Sequence, residues 1–217
     1  MSVIPKESDA KEAARAQRAA YMEERILDAA ESVFARRGLA GSRVREIADA
    51  AGVNGATLYN YYPSKDALYE AVLDRGMRPL SEALAAFAEG SRERESIDQV
   101  ARSIMQHLAE HPQLSRLIYL ETIAQGPHLR RLADRWFRPL LGQILGELEA
   151  SPATEAWPRE LLPAFASLFI HLAFGHFALA PLLQEVFGGE PLSEAGVAAQ
   201  TQLIEGLVHQ IFPHIDP

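Results

Sequence analysis

The histidines of this sequence suggest chemistry most directly, because all seven lie beyond residue 100. His107 and His111 are one helical turn apart with Glu110 beside them, a spacing that can bring two imidazoles to one Zn²⁺. No acidic cluster further along offers an obvious third ligand, and Pro112 ends the helix directly after the pair. A helix-end role for the imidazoles is therefore favoured, with neither metal nor cofactor. A metal-dependent hydrolase using His107, Glu110 and His111 stays an alternative.

Residues 43–61 suggest a second chemistry, the recognition of DNA. Gly52 permits a tight turn between two short helices. Three apolar residues can hold both helices to a core: Ile47, Val53 and Leu58. The other positions of the second helix are small, polar or phenolic, and such a surface suits the major groove, where base edges present donors, acceptors and methyl groups.

The charge distribution is compatible with a nucleic-acid partner despite a net charge of −8. Between residues 36 and 65, five basic residues outnumber two acidic ones, which gives this stretch a net charge of +3. The field that matters for binding is local, because salt screens charges within roughly 10 Å. A basic face on an acidic body can therefore bind DNA.

Residues 161–183 contain no charged side chain, and the run is long enough to span a bilayer. It carries Pro163, His171, His176 and Pro181, which are costly at the centre of a membrane. A helix that is apolar on all sides is buried either in lipid or between protein elements. We therefore expect burial in a subunit interface and no membrane.

The absence of cysteine fits a reducing compartment, because disulfides and thiolate metal sites are excluded. The first twenty residues are polar and charged, without an apolar signal core. We expect a cytoplasmic protein.

The elements that position these residues are helices, since helical periodicity runs nearly from end to end. We predict an all-α fold of about nine helices and no sheet. The expected helices cover 13–37, 42–51 with Ser42 as its cap, 55–61, 64–89, 96–110 with a Ser96–Gln99 capping box, 112–125, 127–150 with a kink near Pro139, 158–186 and 193–212.

At this point the sequence resembles the TetR family of bacterial repressors. Four segments carry the resemblance, which covers roughly residues 20–72: Arg25-Ile-Leu-Asp-Ala-Ala, Phe34-Ala-Arg-Arg-Gly, Ile47-Ala-Asp-Ala-Ala-Gly-Val and Thr57-Leu-Tyr-Asn-Tyr-Tyr-Pro-Ser-Lys-Asp-Ala-Leu. The resemblance implies a homodimeric, non-enzymatic repressor that binds palindromic operator DNA and is released by a small molecule. It assigns residues 1–72 to a DNA-binding domain, with 1–12 as a mobile tail, and 73–217 to ligand binding and dimerisation. A helical binding module with a degenerate helix-turn-helix stays open as an alternative.

The resemblance also implies which residues contact double-stranded operator DNA. The expected set is Arg43, Arg45, Asn54, Gly55, Thr57, Tyr59, Asn60, Tyr61 and Lys65. Arg45 is expected to reach a base or phosphate, and Tyr61 and Lys65 a phosphate. Gly55 departs from the family pattern and has no side chain to read a base. For Tyr61 a place in the core, and for Lys65 a solvated helix start, remain open. Arg15 and Arg18 would suit a minor-groove arm, although a disordered tail is favoured.

The second domain is expected to bind an aromatic or lipophilic inducer, since a few polar groups stand among apolar ones. The candidate ligand-binding residues are His107, His111, Tyr119, Gln125, His128, Trp136, Phe174 and His176. The last two long helices are expected to pair with their two-fold mates as a four-helix bundle. The candidate interface residues are Phe165, Phe169, Leu172, Val197, Thr201, Ile204, Val208 and Ile211.

Overall fold

The computed structural model describes residues 7–89 and 94–211, and every regular element within these two ranges is helical. The α-helices are α1 (Glu7–Gly41), α2 (Val44–Ala51), α3 (Gly55–Tyr61), α4 (Lys65–Glu89), α5 (Arg94–Glu110), α6 (Pro112–Ala124), α7 (Leu129–Leu132), α8 (Arg138–Ala150), α9 (Leu161–Ala178), α10 (Ala180–Phe187) and α11 (Glu194–Ile211). A π-helical turn (Ala133–Phe137) joins α7 to α8, and a 3₁₀ turn (Pro152–Thr154) follows α8. The predicted all-α fold is confirmed.

Two of the nine expected helices are each divided, which raises the number of α-helices in the described ranges to eleven. The expected helix 127–150 becomes α7, the π-helical turn and α8, and Pro139 lies in the first turn of α8. Proline has no N–H to give the preceding turn, so the irregularity falls just before it. The expected helix 158–186 breaks at Leu179, two residues before Pro181.

Helix α1 begins at Glu7 rather than Ala13, so the second half of the expected tail is helical, while residues 1–6 lie outside the described residues. Its regular conformation is interrupted at Gly38, whose φ of 67° is in the left-handed region that glycine adopts without strain. The expected stop at Gly38 therefore appears as an interruption, after which helical structure resumes to Gly41.

Two expected helix caps are wrong. Arg43 occupies the N-cap position of α2, and the Ser42 hydroxyl instead donates to the Leu39 carbonyl at 2.7 Å. Helix α5 begins at Arg94, which places Ser96 inside the helix rather than at its cap. In both cases the chain turns a few residues from where the local pattern indicates, as helix ends commonly do.

Contacts divide the chain into two compact units between Val72 and Leu73, and α4 contributes to both. In the first unit, the Phe34 ring meets the Tyr69 ring edge to face at 5.0 Å. The fully buried side chains around this pair include Ile26, Val33, Ile47, Leu58 and Leu68.

The core of the second unit is built from the inner faces of α5, α6, α8 and α9. Its fully buried side chains include Met105, Leu108, Leu114, Leu117 and Leu148. At one end, Leu148 forms a cluster with Leu162 and Ala166, and Trp157 and Phe165 pack against it with their rings edge to face at 5.3 Å.

A buried carboxylate organises the connection from α6 to α7. Glu121 is buried, and its Oε1 accepts the backbone N–H of His128 at 2.8 Å. The turn it closes passes through Gln125, a non-glycine residue with a φ of 48°, and then through Gly126. A Cβ on Gly126 would collide with the Glu121 carboxylate, so the sequence needs glycine here.

We expect Gly126→Ala to lower the free energy of unfolding by about 1–3 kcal/mol, because the added methyl group displaces a buried, hydrogen-bonded carboxylate. Gly142→Ala is the matched control, since nothing lies within 4 Å of a Cβ at this exposed position of α8. That substitution should stabilise the protein by about 0.5–1 kcal/mol. Urea denaturation followed by circular dichroism measures both. Equal stability of the two variants would contradict the role given to Glu121.

Candidate functional site

The turn between α2 and α3 is fixed from two sides. Gly52 has a φ of 65°, and the N–H of the next residue, Val53, donates to the Ala48 carbonyl at 2.9 Å. Across the turn, the Arg25 guanidinium donates to the Ala51 carbonyl at 2.7 Å, and it also lies 2.7 Å from where a Cβ on Gly52 would stand. The left-handed conformation therefore favours glycine, and a larger residue would also have to displace the Arg25 guanidinium.

The start of α3 depends on Asn54, whose Oδ1 accepts the backbone N–H of Thr57 at 2.7 Å. This is the N-cap interaction, and it is typically worth about 1 kcal/mol. Asn54 was expected to contact DNA; the structure gives its oxygen a helix-capping role that sequence analysis missed. Leu58 alone anchors α3 in the core, while Ala56, Tyr59 and Asn60 are exposed. Gly55 and Thr57 are half-buried.

Tyr61 and Lys65, expected to contact phosphates, make intramolecular contacts. The Tyr61 hydroxyl lies 3.5 Å from the Ala19 carbonyl of α1. The Lys65 ammonium donates to the carbonyls of Leu39 and Ser42, at 2.7 and 3.0 Å, and so closes the turn between α1 and α2. The phosphate contacts of Tyr61 and Lys65 stay predictions. The structural role of Lys65 is not indicated by any pattern of neighbouring residues in the sequence.

The arginines of α2 have different surroundings. The Arg45 side chain is 92% exposed, and its guanidinium lies 3.9 Å from the Asp49 carboxylate one turn further on, which is a weak contact. Arg43, at the N-cap position, is also exposed. Glu46 pairs with Arg37 of α1 at 2.9 Å, so this acidic residue of α2 is compensated within the domain. Arg43 and Arg45 are thus both exposed cations at the start of α2.

The eight expected ligand-binding residues do not form one cluster. Tyr119, Trp136 and Phe174 come from α6, the π-helical turn and α9. The Phe174 ring packs against Phe137 at 5.8 Å, and the Tyr119 hydroxyl lies 3.3 Å from where a Cβ on Gly175 would stand. These three elements therefore meet around an aromatic group.

The other five lie elsewhere in the second unit. His107 hydrogen-bonds the Gly76 carbonyl of α4 at 2.8 Å, and its ring lies 4.8 Å from that of His111. Gln125 and His128 belong to the α6–α7 connection, where the first is exposed and the second buried. His176 hydrogen-bonds the Pro191 carbonyl at 2.9 Å, close to the start of α11.

The donor atoms of His107, Glu110 and His111 lie within 4.8 Å of one another, so these residues could approach one cation. Glu110 is exposed and accepts a hydrogen bond from the Gln106 amide at 3.1 Å. Metal-binding histidines usually donate their second ring N–H to a carbonyl or carboxylate, as His107 can to Gly76. The same bond equally serves to hold α5 on α4, which needs no metal.

The expected dimer interface needs correction. Ile204 and Val208 are only 6% and 7% exposed within one chain, because the apolar stripe of α11 faces α5. Two polar contacts hold that packing: Arg102 pairs with Glu205 at 2.8 Å, and His209 faces Asp98 at 2.9 Å. These two side chains are therefore already covered within one chain.

The remaining interface candidates are half-buried, apart from Ile211, whose side chain lies outside the described residues. Phe165 and Phe169 pack ring to ring at 5.4 Å, and the Thr201 hydroxyl donates to the Val197 carbonyl. The Leu172 carbonyl accepts the Gln200 amide at 2.9 Å, which joins α9 to α11.

Helix α9 is, among the described residues, the one helix long and apolar enough to cross a membrane. A third of its 18 residues is buried. Its exposed positions and those of α11 carry one charged side chain, Glu194, at the beginning of α11. Exposed leucines stand there instead: Leu161, Leu168 and Leu203.

Comparison with known proteins places the helix-turn-helix in a recognised group. The profile of bacterial regulatory proteins of the tetR family matches residues 26–72. Over 104 residues the chain is 38% identical to the HTH-type transcriptional regulator RutR of Escherichia coli K12. This match covers 48% of this chain and 49% of RutR. The chain therefore matches about half the length of that relative.

Longer matches extend the similarity into the second unit. The HTH-type transcriptional repressor SCO4008 of Streptomyces coelicolor is 29% identical over 170 residues, covering 76% of this chain and 82% of the repressor. The crystal structure of a TetR-like transcriptional regulator from Rhodococcus sp. RHA1 superposes with a TM-score of 0.59 at 25% identity, over 87% of this chain and 94% of that one. Similarity to regulators favours DNA binding over the hydrolase alternative.

Proposed function

Because residues 26–72 match the tetR family of bacterial regulatory proteins, we propose that the chain is a dimeric, ligand-responsive transcriptional repressor of the cytoplasm. The observation that carries the proposal is the construction of α3. Its single large apolar side chain is buried, its first turn is capped from within, and its outer positions are left to solvent. Such a helix is free to enter a major groove.

The proposed DNA contacts are those whose side chains remain exposed. Arg45 is placed to reach a base or a phosphate, and Tyr59, 51% exposed, offers a ring and a hydroxyl from α3. Asn54 and Lys65, besides their expected contacts with DNA, hold the start of α3 and the turn before α2. Gly55 and Thr57 allow the backbone of α3 to approach the groove closely.

The second chain of the dimer is proposed to cover the outer faces of α9 and α11. An exposed helix normally carries charged side chains, and these two almost entirely lack them. Ala195, Ala199 and Gly206 on α11 are small, which lets another helix approach closely, while Leu203 supplies a large apolar contact. Burial of these faces between two chains accounts for the uncharged run without a membrane.

Ligand response is proposed to travel through α4, which begins in the first unit and continues into the second. Just past Val72, Asp74 pairs with Arg135 of the π-helical turn at 2.8 Å. Two residues later, Gly76 accepts the His107 hydrogen bond and has Leu114 of α6 packed against its α-carbon. A small molecule that enters between α6, the π-helical turn and α9 shifts the very groups that hold α4. An apolar compound with one or two polar groups suits these aromatic surroundings.

We expect sequence-specific DNA binding that weakens steeply with salt, because phosphate contacts release counterions. The operator is first selected from a library of random duplexes. Arg45→Ala should cost about 1–3 kcal/mol of operator affinity and relax preference at one position. Arg116→Ala, which removes the same charge from an exposed position of α6, should change nothing. Fluorescence anisotropy measures both variants. Equal affinity of the native protein for selected and scrambled duplexes would falsify the repressor proposal.

We expect Leu203→Glu to convert the dimer to a folded monomer at micromolar concentration. Leu203 is 50% exposed in one chain, so the carboxylate of the introduced glutamate would be buried only in the dimer. Ile204→Glu, one residue further, should unfold the protomer instead. Gln143→Glu on the exposed side of α8 is the neutral control. Light scattering and circular dichroism together separate the three outcomes. A Leu203→Glu variant that stays dimeric places the interface elsewhere.

We expect an inducer and the operator to weaken each other's binding by the same factor, typically 5–150-fold, because linkage is reciprocal. Lipophilic aromatic compounds that raise the melting temperature are titrated against the free dimer and against the operator complex. Tyr119→Phe, which removes one hydroxyl near Gly175, should weaken compounds with a polar group while leaving operator affinity unchanged. If every binder titrates both species with identical affinity, the second unit does not transmit a ligand signal.

A further inference from the structure

The N-terminal part of α1 is a helix without a packing surface. Every residue from Lys11 to Tyr21 is exposed, and the core begins only at Ile26. Residues 11–20 include no large apolar side chain, and five of the ten are alanine, the best helix former. Burial of apolar surface therefore cannot be what this segment offers a partner.

The basic residues of this segment are arranged on one face. Lys11, Arg15 and Arg18 follow the i, i+4, i+7 spacing that places side chains in one stripe of a helix. Residues 7–24 hold these three cations and five acids, Glu7, Asp9, Glu12, Glu23 and Glu24, so the basic character belongs to the stretch from Lys11 to Arg18 and not to the whole end of the helix. A basic stripe in an otherwise acidic protein selects a polyanionic partner.

The stripe lies on the side of α1 that adjoins the helix-turn-helix. Arg25 continues the same stripe at i+14, and its guanidinium reaches the Ala51 carbonyl at the end of α2. The last turn of α3 touches α1 at Ala19, through the Tyr61 hydroxyl. From Ala19 back to Lys11 the helix continues for eight residues, roughly 12 Å at 1.5 Å per residue. That is about the width of a major groove.

We propose that the face formed by Lys11, Arg15 and Arg18 binds the phosphate backbone of duplex DNA that flanks the half-site read by α3. This inference rests on the proposed DNA-binding function and extends it to a second, sequence-independent contact surface. Arginine and lysine side chains on a preformed helix suit phosphates, and such contacts strengthen and orient binding without reading bases. The expected tail thus becomes an ordered electrostatic arm.

The test compares two duplexes carrying the same selected operator, one ending at the half-sites and one with about ten further base pairs on each side. The native protein should bind the longer duplex roughly 10-fold more tightly. The slope of the logarithm of its binding constant against the logarithm of the salt concentration should be steeper by up to roughly two to three per protomer, near 0.9 for each added phosphate contact. The triple variant Lys11→Gln, Arg15→Gln, Arg18→Gln should lose that gain and still bind the short duplex as the native protein does. Replacing the flanks by unrelated sequence should leave the gain unchanged.

The matched control is the triple variant Ala13→Gln, Ala16→Gln, Ala20→Gln, which places glutamines on the opposite side of the same helix and keeps every cation. It should retain the full gain, and circular dichroism should show the same helix content in both triples. Equal affinity of the native protein for short and long duplexes overturns the arm while the repressor proposal stands, provided Arg45→Ala still impairs operator binding. A triple variant that loses the short operator as well, or that changes the mass of the dimer, also overturns it. Absence of any specific DNA binding defeats the repressor proposal itself.

Discussion

Helix α4 contributes residues to both units, and each part of it is held by polar contacts within its own unit. At its first residue, the Lys65 ammonium binds two carbonyls of the turn before α2. Nine residues later, Asp74 pairs with Arg135, and Gly76 then accepts the hydrogen bond of His107. Both groups of contacts act on residues of the same helix, α4. The proposed response to a ligand depends on this covalent continuity rather than on any new contact.

The recognition element illustrates how polar residues divide between building a surface and using it. Helix α3 has seven residues, fewer than an isolated helix needs to persist in water. Its stability comes from the Asn54 cap, the burial of Leu58 and the turn that Arg25 closes onto Ala51. With those groups committed to structure, the exposed side chains proposed to contact DNA include Tyr59, Asn60, Arg43 and Arg45. The specificity of the proposed repressor therefore rests on few side chains.

Features set by neighbouring residues were predictable from the sequence, and features set by distant ones were not. The bounds of α3, Gly55–Tyr61, follow from the glycine turn and from Asn54 immediately before the helix. By contrast, the partners of Arg25 and Lys65 lie 23 to 26 residues away, and no spacing rule reports them. The stripe on α11 correctly indicates a buried side, but periodicity does not say which element covers it. That is why Ile204 and Val208 were assigned to a partner chain when α5 covers them.

The correction at α11 also clarifies what a dimer can use. Because branched apolar side chains and the Arg102–Glu205 pair take part in packing on α5, the exposed side of the helix beyond Glu194 is left with alanines, a glycine, two glutamines and Leu203. Small residues contribute little area each, yet they allow backbones to approach closely, so that dispersion contacts accumulate along the helix. Nearby, Phe187 at the end of α10 is 79% exposed, which adds apolar surface that water solvates poorly. A two-fold mate placed here, as proposed, would bury both kinds of surface at once and would account for the uncharged character of α9.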